Sequence, residues 1–366
     1  MLGLKGFAGG EVVIMPGAAR LVLHVVGRNA PFGMPPLLAY TLPRGARENG
    51  PLPVGMVSPE RVHVVGLGEQ ALRAAEEEPG KVHLVNAIHQ GRCVGPHVLE
   101  AVLRALLKQA GIGRLRRTFG GMVCRWLLTP DQDEGAWQTF RHTALNLGFR
   151  QVHRADMLTA ALAGAGLDIR NTRGSMVLKL GSERSVMALY TMGENVTWMS
   201  LPFGGRDLDA ALVDFVARRH KLRISTTGAQ EIKHRMGSLY PQPKPNNLRV
   251  NGLDGMTGVE KKATLDDNEI RDVLTDACEP LVMAIQEGFH KVPPELAADI
   301  ARDGVLLTGG GANMLGIAEF LGERTGLFFV APSRAGDLAL EGASGTWAEP
   351  AAVEHHPVEP AAETPQ

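Results

Sequence analysis

Apolar residues along this chain switch between a period of two and a period of three to four, and the switches mark out strands and helices. EVVIMPGAARLVLHVVG (11–27) reads as two strands around a Pro16–Gly17 turn. PPLLAYTL (35–42), RVHVVG (61–66) and MVCRWLL (122–128) are further strands. HVLEAVLRALLKQAG (97–111) spaces its apolar residues as a helix does and stops at Gly111. TPDQDEGAWQTFRHTALNLG reads as a loop and then a helix, and ADMLTAALAGAG as a helix of small residues.

The second half repeats the alternation. SMVLKL, SVMALYT and ENVTWMSL are strand-like, and RDLDAALVDFVARRHKLRI and GAQEIKHRMGSL are helical. Segment 241–262, rich in Pro, Asn and Gly, reads as loop or short hairpin. DDNEIRDVLTDACEPLVMAIQEGFHKV is a long helix that ends at Pro293–Pro294. GVLLTGGGANMLGIAEFLGERTG is a strand, a glycine turn and a helix. From Gly342 the composition shifts to Ala, Pro, Glu and His without periodicity, so 342–366 reads as a disordered tail. Strands alternating with helices predict an α/β protein of two similar halves.

Length agrees, since 366 residues suffice for about two domains. A formal net charge of −1 gives no footprint for nucleic acid. Cys93, Cys124 and Cys278 share no metal-ligand spacing and read as reduced thiols of a cytoplasmic protein. No two histidines in the folded region stand three or four apart, and His355 and His356 fall in the tail, so no metal site is expected. No apolar run reaches the roughly 18–20 residues of a membrane span, and the start lacks a long apolar stretch, so no secretory leader is expected. MLGLKGF gathers Met1, Leu2, Leu4 and Phe7 around Lys5, which suits either a frayed terminus or a short membrane-touching segment. Arg114, Arg116 and Arg117 in GRLRRTFGG read as a solvated loop or a partner contact, and Asp207 and Asp209 as helix caps.

The strongest motif is GVLLTGGGANML. A buried strand runs into Gly309-Gly310-Gly311, where backbone can approach a flat or charged ligand. Together with VLKLGSERSVMAL, PFGGRDLDAAL and PPELAADIARDGVLLTGGGANMLGIAEFLGERTGL it resembles the actin-like ATPase superfamily, and within it the bacterial actins of the MreB family. The resemblance covers about residues 11–340. It implies an α/β, actin-like (ribonuclease H-like) two-domain fold with a central interdomain cleft. Residues 1–10 would be an N-terminal segment, 11–160 domain I, 161–341 domain II with the adenosine motif, and 342–366 the tail.

Carried over by residue, the resemblance implies a nucleotide beside Gly309, Gly310 and Gly311. Lys233 sits at a ribose- or base-contacting position and Gln230 at that of an acidic residue. Gly17 and Gly181 would belong to the two phosphate turns. The phosphate–metal side departs from the family: Met15 and Lys179 replace its two acidic residues, and Ser182-Glu183-Arg184 replaces Gly-Gly-Thr. Met15 cannot serve a hard cation. Mg²⁺ is therefore not expected, while ATP stays open, because Lys179 and Arg184 add positive charge where phosphates would lie. Glu134 or Asp133 is the candidate for placing a water. The other reading of the turn is an internal network in which Lys179, Glu183 and Arg184 find partners across the cleft.

The resemblance implies a cytoskeletal filament or scaffold concerned with cell shape and cell-wall organisation, with reduced or lost ATPase activity. It would assemble with itself or with another bacterial actin, in the cytoplasm and at the inner membrane surface. An active ATPase with unusual loops and a non-filamentous adaptor are the alternatives.

Overall fold

The computed structural model of the chain describes residues 10–42, 51–242 and 246–345. Met1, Leu2, Leu4, Lys5 and Phe7, and likewise His355 and His356, lie outside the described residues.

In the first half, β1 (Glu11–Met15) and β2 (Leu21–Val25) pair antiparallel around the Pro16–Gly17 turn, and β3 (Phe32–Met34) follows. β4 (Leu37–Thr41), β5 (His63–Leu67) and β6 (His83–Asn86) form a small sheet in the order β5-β4-β6. Helix α1 (Glu69–Glu77) packs on it through Ala71, against Leu37, Ala39 and Val82. A hairpin, β7 (Ile88–His89) and β8 (Arg92–Cys93), leads to α2 (Pro96–Gln109) and α3 (Arg114–Phe119). β9 (Val123–Leu128), α4 (Glu134–Asn146) and β10 (Gln151–Asp156) complete a five-stranded sheet, β10-β9-β1-β2-β3. The apolar stripe of α2 meets Trp126 and Phe140 in its core.

Helix α5 (Met157–Gly164) then crosses to the second half. There β11 (Ser175–Leu180), β12 (Ser185–Thr191) and β13 (Glu194–Leu201) run antiparallel. α6 (Gly205–His220), β14 (Leu222–Arg223), α7 (Thr226–Met236), β15 (Asn247–Asp254) and β16 (Glu260–Asp266) follow. α8 (Asp267–Phe289), α9 (Pro294–Asp303), β17 (Val305–Thr308), α10 (Ile317–Thr325), β18 (Phe329–Val330) and α11 (Leu338–Ser344) close the described chain. The larger sheet is ordered β13-β12-β11-β17-β18. It repeats the plan of the first: two antiparallel strands lie on one side of the leading strand and two parallel strands on the other. Between the sheets, Val13, Val22 and Leu127 share a core with Val177, Val186 and Leu306, flanked by α5 and α11.

Two expectations change, and a third resolves to one of its alternatives. The polar segment 241–262 carries most of a regular hairpin, β15–β16, which joins β14 in a third sheet. Its alternate residues are exposed, which explains its loop-like composition. Helical structure continues past 342: Gly342 is buried in α11 against the Ala160 backbone of α5, so the change in composition precedes the end of the helix. Arg117 is no solvated loop residue but is buried, donating to the carbonyls of Leu147 at 2.7 Å and Ile112 at 2.6 Å.

Candidate functional site

The loops predicted to face a ligand are joined by a continuous run of contacts. Asn86 donates to the carbonyl of Ala18 at 2.8 Å and so holds the first turn to the β6–β7 connection. Gly17 lies in that turn, half-buried, and Met15 ends β1 before it. The β7–β8 hairpin carries the run onward, because Gln132 donates to the Gly91 carbonyl at 2.5 Å.

The second turn, Gly181–Arg184, joins β11 to β12 and is fastened to the start of α6. The Gly205 N–H donates to the Gly181 carbonyl at 2.9 Å, and the Arg206 N–H to the Ser182 carbonyl at 2.7 Å. Asp207 caps this end, its carboxylate accepting from the Gly204 N–H at 2.7 Å. Gly309 closes the row: it takes φ +85°, and a Cβ there would lie 2.5 Å from the Leu180 carbonyl oxygen, so only glycine lets the β17 turn approach β11. Gly310 beside it is exposed and Gly311 half-buried.

Charge concentrates at the second turn. Arg184 reaches Asp131, in the β9–α4 loop of the first half, at 2.5 Å, and the side chains are 18% and 3% exposed. Asp131 also accepts from Thr129 Oγ1 at 2.6 Å and Ser200 Oγ at 3.3 Å. Glu183 accepts from the Gln90 N–H at 2.5 Å, lies 3.2 Å from His89 Nδ1, and pairs with Arg206. Two of the three expected network members therefore find partners across the cleft.

Lys179 does not. Among the described residues its ammonium has no hydrogen-bond or ion-pair partner, and it sits beside Gly181 at the end of β11. Burial, and Arg184 close by, lower its pKa to about 8, partly opposed by Asp131.

The remaining candidates are placed as follows. Lys233 of α7 forms an ion pair with Asp209 of α6 at 2.6 Å, with side chains 11% and 6% exposed, and donates to the Gly205 carbonyl at 2.7 Å. Asp209 is thus a buried partner rather than a helix cap. Gln230 lies three residues before Lys233 on α7, half-buried. Glu134 is turned outward: it pairs with Arg154 at 2.9 Å and is 62% exposed, and Asp133 caps α4 and pairs with Arg92 at 2.6 Å. The sequence does not single out Asp131, His89, Gln90 or Arg206: Asp131 and Arg206 lie inside quoted stretches, in a loop and at a helix start, and His89 and Gln90 belong to a hairpin too short for a period to register.

Comparison with known proteins agrees with this architecture. The sequence pattern of the MreB/Mbl protein family matches residues 38–354. Cell shape-determining protein MreB of Escherichia coli (strain K12) is 28% identical over 344 residues, 92% of this chain and 95% of that protein. Cell shape-determining protein Mbl of Bacillus subtilis (strain 168) is 25% identical over 313 residues, 86% of this chain and 88% of that protein. Among solved structures, MreB5 of Spiroplasma citri bound to ADP matches with a TM-score of 0.79 at 20% identity, over 92% of this chain and 95% of that one. The MamK double helical filament matches with a TM-score of 0.69 at 13% identity, over 92% and 97%. The fold is actin-like, and the chain belongs to the MreB/Mbl family.

Proposed function

We propose that this protein is an MreB-type filament or scaffold protein acting in cell shape and cell-wall organisation, with little or no Mg²⁺-dependent ATP hydrolysis. The relatives that it matches over most of its length are cell shape-determining proteins, and one structural neighbour is a filament. Its partner is a second copy of itself or another bacterial actin.

The observation that carries the loss of hydrolysis is the state of the carboxylates around the two turns. The solved MreB5 structures hold ADP and AMPPNP, so those proteins bind nucleotide. Here a thioether and an ammonium, Met15 and Lys179, stand at the two acidic positions. Asp131 is engaged by Arg184, Glu183 by donors from both halves, and Glu134 by Arg154. Mg²⁺ needs oxygen ligands, and phosphoryl transfer needs a metal-aligned γ-phosphate and an oriented water. These residues do not fit a Mg²⁺–triphosphate group. Phosphate release with Mg²⁺ and ATP is expected to stay at background while the protein still forms filaments under the electron microscope. Turnover at the rate of an active bacterial actin would contradict the reading.

Peripheral contact with the membrane is part of the proposal. Leu115 and Phe119 on α3 are 70% and 69% exposed, and the Arg150 guanidinium lies 5.5 Å from the Phe119 ring centre. Arg116 of the same helix lies beside Gly10, where the described chain begins. Apolar side chains flanked by cations suit an anionic lipid surface. Among the described residues, no helix is long and apolar enough to cross a membrane.

A further inference from the structure

We propose that the Glu183 carboxylate is a tethered substitute for the anion that this cleft would otherwise hold, and that with Arg184 it keeps the two halves together without nucleotide. This rests on the reading that the cleft has lost its Mg²⁺–triphosphate chemistry.

The donor set around Glu183 is of the kind that recruits phosphate oxygens: a backbone N–H in a tight turn, a guanidinium and an imidazole. The Gln90 N–H and His89 come from the first half, and Arg206 comes from the second. The Glu183 side chain is only 6% exposed among them. A free anion would have to be bound from solution, whereas this one is part of the chain and is always present at high effective concentration.

Arg184 makes the reciprocal connection. Glu183 carries negative charge from the second half to donors of the first, and Arg184 carries positive charge to Asp131 of the first. Opposed pairs on adjacent residues fix one register of the halves, because sliding either way breaks both.

The hairpin that receives them is shaped for the purpose. Gln90 and Gly91 have φ of +46° and +73°, a two-residue turn with both residues left-handed. Gln90 is not glycine, so its conformation carries strain that the hydrogen bond to Glu183 offsets. The left-handed backbone of Gly91 favours glycine, and a Cβ there would also force the end of the Arg184 side chain to shift. On the other side, α6 holds the turn through the Gly205 and Arg206 N–H groups, which makes a rigid mount for both charges.

The test uses the full-length protein, with Glu183→Ala, Arg184→Asp, and the exchanged pair Asp131→Arg with Arg184→Asp. Small-angle X-ray scattering in EDTA, at a protein concentration below that at which filaments pellet, reads the separation of the halves, and thermal melting with and without Mg²⁺ and ATP reads ligand dependence. The wild type is expected to be compact in EDTA, with neither radius of gyration nor melting temperature moved by ATP. Glu183→Ala and Arg184→Asp are expected to expand and to melt several degrees lower, and the exchanged pair to regain most of what Arg184→Asp loses. A wild type that contracts or gains melting temperature on adding ATP overturns the proposal. So does a Glu183→Ala protein as compact and stable as the wild type, or an exchanged pair that recovers nothing. Filament pelleting of the wild type, scored separately, tests the functional reading: filaments from an open, ATP-responsive protein would remove the tether and leave the family function standing.

Discussion

Arg184 and Asp131 meet at 2.5 Å across the two halves, and Thr129 and Ser200 also donate to the same carboxylate. Little solvent reaches the pair, so removing one partner strands a charge. Asp131→Ala is expected to cost about 3–5 kcal/mol. Arg92→Ala, in the neighbouring pair with Asp133 whose side chains are 61% and 51% exposed, is expected to cost under about 1 kcal/mol. Denaturant midpoints of the two variants check the contrast, and equal losses would mean that the Arg184 pair is no more than a surface contact.

Lys179 predicts the opposite sign. Among the described residues its half-buried side chain has no partner, and its pKa is lowered to about 8 from an ordinary 10.5. Between these values the unfolded chain binds the proton that the folded one has released, so stability from this group rises as pH climbs from about 8 to 10.5. Below pH 8 the full penalty of a charged, unpaired amine is present. Lys179→Met is therefore expected to stabilise the protein at pH 7 by roughly 1–3 kcal/mol. Urea melts of both proteins across this range should converge at high pH. A destabilised Lys179→Met protein at pH 7 would show that the ammonium has a favourable partner.

Much of the fold was legible in the sequence because the strands and helices that position the site have strong periodicity. VLKL and VLLT are buried strands, and their registry, Lys179 opposite Thr308, sets the glycine turn against the phosphate turn. The places of residues 15, 179 and 183, at or beside the two turns, were legible for the same reason, since motif spacing located the turns. The partners were not. His89 and Glu183 lie 94 positions apart, and β7 and β8 have two residues each, too short for any period to register. Lys179 shows the limit from the other side: the need for a buried charge to be paired predicted an acidic partner, but the nearby acids were already taken by Arg184 and Arg206.

Lys233 and Asp209 tie α7 to α6 from inside the second half. Lys233→Met leaves a buried carboxylate without its counter-ion and is expected to cost about 3 kcal/mol or more. Adding Asp209→Leu should return part of that loss, because two apolar side chains need no pairing. A double variant as unstable as the sum of its single variants would show that the two residues act independently.

The exposed pair Leu115 and Phe119 gives a prediction for the membrane. Replacing both with serine removes apolar surface worth about 25 cal/mol per Å² on burial and should cut co-sedimentation with anionic vesicles several-fold. Raising salt should weaken the wild type as well, since Arg114 and Arg150 are exposed beside them. Unchanged pelleting of the double variant would place the contact elsewhere.

Assembly of this protein is proposed to need no nucleotide cycle. The most direct measurement is sedimentation of the purified wild-type protein, with electron microscopy of the pellet, in EDTA without nucleotide and in Mg²⁺ with ATP. The same filaments and the same pelleted fraction are expected in both conditions. Polymer that appears only with Mg²⁺ and ATP, or no polymer in either, would contradict the account.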